Sequence, residues 1–103
     1  MDKVKEKWVK EEIKKILRRL GVWYFMPAMN GLGRAGIPDF VCCVDGMFLG
    51  IEAKAGRNRP TDHQTAELEA IQKSGGFSVV VNETSLHVLP DLIDSIKLVR
   101  GAK

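Results

Sequence analysis

Asp39, Glu52 and Lys54 are the residues whose types and spacing can do chemistry in this chain. Pro38-Asp39 precedes one apolar run, and Glu52-Ala53-Lys54 closes the next. Carboxylate oxygens are hard donors that suit Mg²⁺ or Mn²⁺ rather than a soft metal, and the backbone carbonyl of Ala53 can add a further oxygen. A divalent ion so held lowers the pKa of a bound water and neutralises charge on a phosphodiester. Lys54 then either orients that water or stabilises the charge of the transition state. Metal-assisted phosphodiester hydrolysis is the leading reading. The competing one is a set of strand-end charges on a solvated sheet edge.

The trio works only if the two runs pair in one register. Phe40-Val41-Cys42-Cys43-Val44 and Met47-Phe48-Leu49-Gly50-Ile51 are β-prone, and Asp45-Gly46 between them is the pair a two-residue type I′ turn prefers. That turn pairs Val44 with Met47, Cys43 with Phe48, Val41 with Gly50 and Asp39 with Glu52. Cross-strand partners share a face, as do alternate residues along a strand. Asp39, Glu52 and Lys54 therefore project together. The other face carries Phe40, Cys42, Val44, Met47, Leu49, Ile51 and Ala53, all apolar or nearly so. A one-residue slip would scatter the trio, and the turn chemistry opposes that slip.

Two helices can bring neighbours to this face. Lys3 to Leu20 has Val9, Ile13, Ile16, Leu17 and Leu20 at helical spacing, with Gly21 as the stop. Glu6 stands seven residues before Ile13, on the centre of that apolar stripe, where a carboxylate needs a reason. Compensation of the helix dipole is one such reason and a site role is the other. Glu12 lies at the stripe's flank and is the alternative; Glu11 points away. The second helix, Thr61 to Ser74, opens on a capping-box pattern with Thr61 as N-cap and Gln64 at N3. Gln64 also shares a stripe with Leu68 and Ile71, so its first turn faces the sheet and can reach the charged trio.

The remaining elements are a strand over Val22 to Met26, a glycine-rich loop over Ala28 to Ile37, and a basic turn over Ala55 to Pro60. A strand over Phe77 to Val81 follows, then a short strand over Leu86 to Leu89 and a last helix over Pro90 to Val99. Gly31-Leu32-Gly33-Arg34-Ala35-Gly36 matches G-x-G-x-x-G, yet Pro38 and a strand follow it rather than a helix, so it fails as a dinucleotide fingerprint. A plain connection and a loop that brings backbone and Arg34 to DNA phosphates are the two readings left. Arg57 and Arg59 flank the same face. His63 and His87, the only histidines, build no metal site or triad. Trp8, Trp23, Tyr24 and Phe25 read as core or interface rather than as base-stacking groups.

At 103 residues the chain is expected to form one domain, with one modest core. Its net charge of +3 suits a polyanionic partner without requiring one. Cys42 and Cys43 are adjacent in a strand and point to opposite faces, so they are expected to stay unbonded, in or near the core, in a reducing compartment. The sequence contains no signal-peptide pattern and no apolar run of membrane-spanning length, which favours a cytoplasmic protein with no membrane partner.

Gly36-Ile37-Pro38-Asp39, then Gly50-Ile51-Glu52-Ala53-Lys54, then Gln64 resemble the VRR-NUC (virus-type replication-repair nuclease) branch of the PD-(D/E)XK superfamily. The likeness spans nearly all of residues 1–103, most of all to small stand-alone phage-type members. It implies an α/β, restriction-endonuclease-like core of order α-β-β-β-α-β, with a mixed sheet flanked by helices. It implies Mg²⁺- or Mn²⁺-dependent hydrolysis, with Asp39 and Glu52 as metal ligands, Lys54 as the catalytic lysine and Gln64 in the active site. It also calls for an acid on the first helix, for which Glu6 fits best by spacing. Homodimers or higher homo-oligomers acting on branched, four-way-junction-like DNA in a bacterial host cell are the further expectation. The alternatives are a nicking, flap or genome-processing nuclease, and a non-catalytic DNA-binding module on the same fold.

Overall fold

In the computed structural model, residues 5–28 and 33–101 are described. The expected helix start at Lys3 and the motif residues Gly31 and Leu32 lie outside them. The elements are α1 (Glu6–Arg19), β1 (Trp23–Phe25), β2 (Phe40–Val44), β3 (Met47–Ala53), α2 (Asp62–Lys73), β4 (Phe77–Val81) and α3 (Val88–Gly101). The four strands form one sheet in the order β1-β2-β3-β4. The β1–β2 and β2–β3 pairs are antiparallel and β3–β4 is parallel, so the sheet is mixed.

The hairpin has the register that its turn chemistry dictates. Val44 pairs with Met47, Cys43 with Phe48, Val41 with Gly50 and Phe40 with Ile51. Asp45 and Gly46 have φ of 49° and 86°, the doubly left-handed backbone a type I′ turn needs. The face predicted to be apolar is the core. Phe40, Leu49, Ile51 and Ala53 are fully buried there, with Cys42 and Val44 nearly so. Val9, Ile13 and Leu17 of α1 and Leu89, Ile93 and Ile96 of α3 join them in one cluster. Helices α1 and α3 thus cover one side of the sheet. On the other side lies α2, where Ser78 Oγ of β4 donates to the Leu68 carbonyl at 2.9 Å and accepts from Gln72 Nε2 at 2.9 Å.

The expected strand over Leu86 to Leu89 is absent. Asn82 Oδ1 accepts from Thr84 N at 2.9 Å, and Ser85 N donates to the Asn82 carbonyl at 3.1 Å, which curls the chain into turns that run into α3. Short polar side chains that bond nearby backbone outcompete a strand for such a segment. Cys42 is buried and Cys43 is exposed, a correction to the expectation that both lie in or near the core. Trp8 on α1 and Trp23 and Phe25 on the edge strand β1 are exposed and so lie outside the core, which leaves the interface reading for them.

Candidate active site

Asp39 sits one residue before the β2–β3 ladder begins, beside Glu52 at the end of β3. Its Oδ2 accepts a hydrogen bond from Ala53 N at 2.8 Å, which fixes the carboxylate against the partner strand. In a β-strand the N–H and C=O of one residue point to the same side, so the Ala53 carbonyl also turns toward Asp39. Lys54 N, one residue on, donates instead to the Val81 carbonyl of β4 at 3.0 Å. The alternation that builds the sheet therefore aims the Ala53 peptide group at the acid pair.

Glu52 is a charged side chain with 1% exposure, the one buried charged or polar residue among those described. Its Oε2 accepts from Gln64 Nε2 at 2.9 Å and lies 3.6 Å from Lys54 Nζ. Its Oε1 is buried with no hydrogen-bond partner among the described residues. Loss of water around the carboxyl, and then the negative charge of Asp39, push its pKa up to about 7, with Lys54 opposing the rise. A buried carboxylate oxygen without a partner is costly unless a cation meets it.

Gln64 caps its helix and also reaches Glu52. Its Oε1 accepts from Thr61 N at 2.8 Å while its own N–H donates to Thr61 Oγ1 at 3.1 Å, a complete capping box. The same side chain donates through Nε2 to Glu52. A glutamine amide has an acceptor end and a donor end, and here one terminates the helix while the other faces the site.

Gly36 places that helix. Its φ is +82°, and a Cβ there would stand 2.5 Å from the His63 carbonyl carbon and oxygen. Gly36 is thus packed on the first turn of α2, which presents Gln64 to the sheet.

Glu6 lies on the first turn of α1, where its Oε2 is 3.5 Å from Lys10 Nζ. Lys10 Nζ is also 3.5 Å from Asp39 Oδ1. Glu6 reaches the acid pair electrostatically, adding to the upward push on Glu52, and Lys10 stands between it and Asp39. Glu12, the alternative acid, is paired with Lys15 at 3.0 Å. Among the described residues no three His, Cys, Asp or Glu side chains already gather around one metal position. Asp39 Oδ1, Glu52 Oε1 and the Ala53 carbonyl are nonetheless all hard oxygens of the kind Mg²⁺ and Mn²⁺ take, and Glu52 Oε1 has no other partner. The donor set fits a divalent cation.

Arg57 and Arg59 are exposed on the loop between β3 and α2. That loop is tied to Glu83, whose two carboxylate oxygens each accept from Gly56 N at 3.0 Å. Arg34 is exposed too, and its Nε and Nη2 bond the carboxylate of Glu67 at 2.6 and 2.9 Å. Burial pushes the Cys42 thiol up to about 12, which removes it as a nucleophile. Lys10 and Glu83 were missed in the sequence. Lys10 had a signal, being four residues after Glu6 on one helix face; Glu83 contacts a segment far from it in sequence and had none.

Fold and site together define a restriction-endonuclease-like α/β domain. A solved structure described as a VRR_NUC domain superposes with a TM-score of 0.68 at 27% identity, covering 86% of this chain and 94% of that one. No family model matches the sequence, and no curated protein is similar to it. In its fold the chain is thus similar to a VRR-NUC domain, which supports placing it with that family.

Proposed function

We propose that this domain is a divalent-metal-dependent DNA endonuclease that hydrolyses phosphodiester bonds at branched, four-way-junction-like DNA. The observation that carries the hydrolytic reading is the buried Glu52 carboxylate, with Oε1 unpartnered and Asp39 beside it. A purely structural role gives no reason to bury that carboxylate and leave one of its oxygens without a partner. The similarity to a VRR_NUC domain supports nuclease chemistry.

In this reading Asp39, Glu52 and the Ala53 carbonyl would hold Mg²⁺ or Mn²⁺. Bound there, the ion would supply a water of lowered pKa and neutralise phosphate charge. Everything else falls to the chain. Ala53 N fixes the rotamer of Asp39. Gln64 fixes Glu52 by donating to Oε2, which leaves Oε1 for the ion. Lys54 brings an ammonium to the same carboxylate, where it can orient the water or meet the charge growing on the phosphate. Glu6 adds negative potential from α1. Arg57 and Arg59 extend from the adjoining loop to DNA phosphates, and Arg34 does so by exchanging Glu67 for phosphate. Residues 1–103 act as a single domain, in the cytoplasm of a bacterial host. A homodimer would present its two sites to the two strands of a junction.

The test is cleavage of labelled four-way, flap, nicked and linear DNA with Mg²⁺ or Mn²⁺. The unsubstituted protein is expected to cut the four-way substrate fastest, while Asp39→Asn, folded by circular dichroism, cuts nothing. Equal cleavage by clean Asp39→Asn protein would sink the hydrolytic reading. Equal rates on every substrate would sink only the junction preference.

A further inference from the structure

We propose that Lys10 competes with the divalent cation for the acid cluster. Its ammonium bridges Glu6 and Asp39 in the metal-free protein and gives up Asp39 when the cation binds. The proposal rests on the hydrolytic reading above and adds a residue to it.

The geometry assigns each carboxylate oxygen near the site. Asp39 Oδ2 is held by Ala53 N at 2.8 Å, so Oδ1 is the oxygen left to meet a cation, and Lys10 Nζ faces it at 3.5 Å. Glu52 Oε2 is shared by Gln64 and Lys54, so Oε1 is the oxygen left there, and it has no partner. A cation landing on Oδ1 and Oε1 therefore encounters Lys10, whereas Lys54 already stands on the other oxygen of Glu52. Both Lys10 contacts are longer than the 2.7–2.9 Å of a closed charge-assisted hydrogen bond. The ammonium spans two acids without seating on either. Its side chain is 29% exposed on a flexible four-carbon stem, so it can leave without moving α1. In the metal-free protein this bridge offsets the repulsion between Glu6 and Asp39. Cation binding makes it redundant.

Mn²⁺ titration by calorimetry, together with thermal melts with and without Mn²⁺, tests the competition. Lys10→Met and Lys10→Gln, both compatible with a helix, are expected to bind Mn²⁺ about threefold to fivefold more tightly, the scale of one partly exposed ion pair no longer given up. Their melting temperatures should rise more on adding Mn²⁺ than that of the unsubstituted protein. Lys10→Arg keeps the charge and the bridge and gains no affinity. Lys14→Met removes the same charge from the pair with Glu11 one turn along α1, and should leave affinity within about twofold, since exposed charges at that range are screened. Unchanged or weaker Mn²⁺ binding by both Lys10 variants overturns the proposal, as does an equal gain in Lys14→Met. If the unsubstituted protein binds Mn²⁺ and Asp39→Asn does not, such a failure falls on Lys10 alone. If the unsubstituted protein binds no Mn²⁺, the hydrolytic reading and the proposal fall together.

Discussion

Glu52 is a buried carboxyl whose contribution to stability depends on pH. Its carboxyl is held up at about 7 by burial and by Asp39, against an ordinary 4.5. The folded protein therefore binds this proton more tightly than the unfolded chain does. The stabilisation is fully present below pH 4.5 and is lost as pH rises through about 7. In metal-free protein, denaturant unfolding at pH 5 and pH 8 should differ by a contribution on the order of 1–3 kcal/mol that Glu52→Gln removes. An identical pH dependence in Glu52→Gln would show that the group does not titrate there. Gln64 offers a separation of roles at the same scale. Gln64→Ala loses the capping box and the bond to Glu52 together, with an expected cost of about 1–2 kcal/mol as well as loss of cleavage. Gln64→Glu can keep the capping box, since glutamate serves at N3, but sets a carboxylate against Glu52. It should fold with near-native helicity and cleave poorly. Robust cleavage by Gln64→Glu would reduce Gln64 to a helix cap.

Between elements, the site depends on how the loop before β2 meets α2. Gly36 combines a φ of +82° with backbone of His63 where a Cβ would lie. Gly36→Ala should destabilise by at least about 2 kcal/mol and shift the first turn of α2 away from Glu52, so that activity falls further than stability does. Among the described residues Gly33 has no atom within 4 Å of an added Cβ, and Gly33→Ala should lie within about 0.5 kcal/mol of the parent. Thermal or urea melts of the two variants check the contrast, and similar losses would show that the contact is not needed. The hairpin is the element most legible in the sequence, because Asp45-Gly46 admits few turns and a slipped register would turn its apolar face to water. The segment from Asn82 to Val88 was not legible as a turn. Leu86, Val88 and Leu89 mimic a strand, and only the Asn82 and Ser85 bonds show that the chain curls there.

On the scale of the molecule, the modest charge of +3 matters less than where the cations stand. Lys54 and Lys10 face carboxylates at the site, and Arg34 faces Glu67. Arg57 and Arg59 are exposed beside the site on a loop anchored through Gly56 to Glu83. If they meet DNA, affinity measured by anisotropy should fall with rising salt, and each Arg→Ala change should lower the log–log salt slope by about one. Unaltered slopes in Arg57→Ala and Arg59→Ala would move the DNA path elsewhere. No described helix is long and apolar enough to cross a membrane.

The sequence by itself determined what depends on near neighbours and on period. The turn at Asp45-Gly46 put Asp39 next to Glu52, strand alternation put Lys54 on their face, and the Thr61–Gln64 spacing capped α2. Helical period also placed Glu6 on the side of α1 that meets the sheet. Tertiary structure decided what depends on approach between distant segments. It buried Glu52 and left Oε1 alone, turned Gln64 Nε2 onto Oε2, and set Lys10 rather than Glu6 directly against Asp39. It also closed Gly36 onto His63. Local backbone rules act over a few residues and can be read from them. Desolvation and ion pairing depend on which surfaces meet across the fold, and no spacing along the chain encodes that.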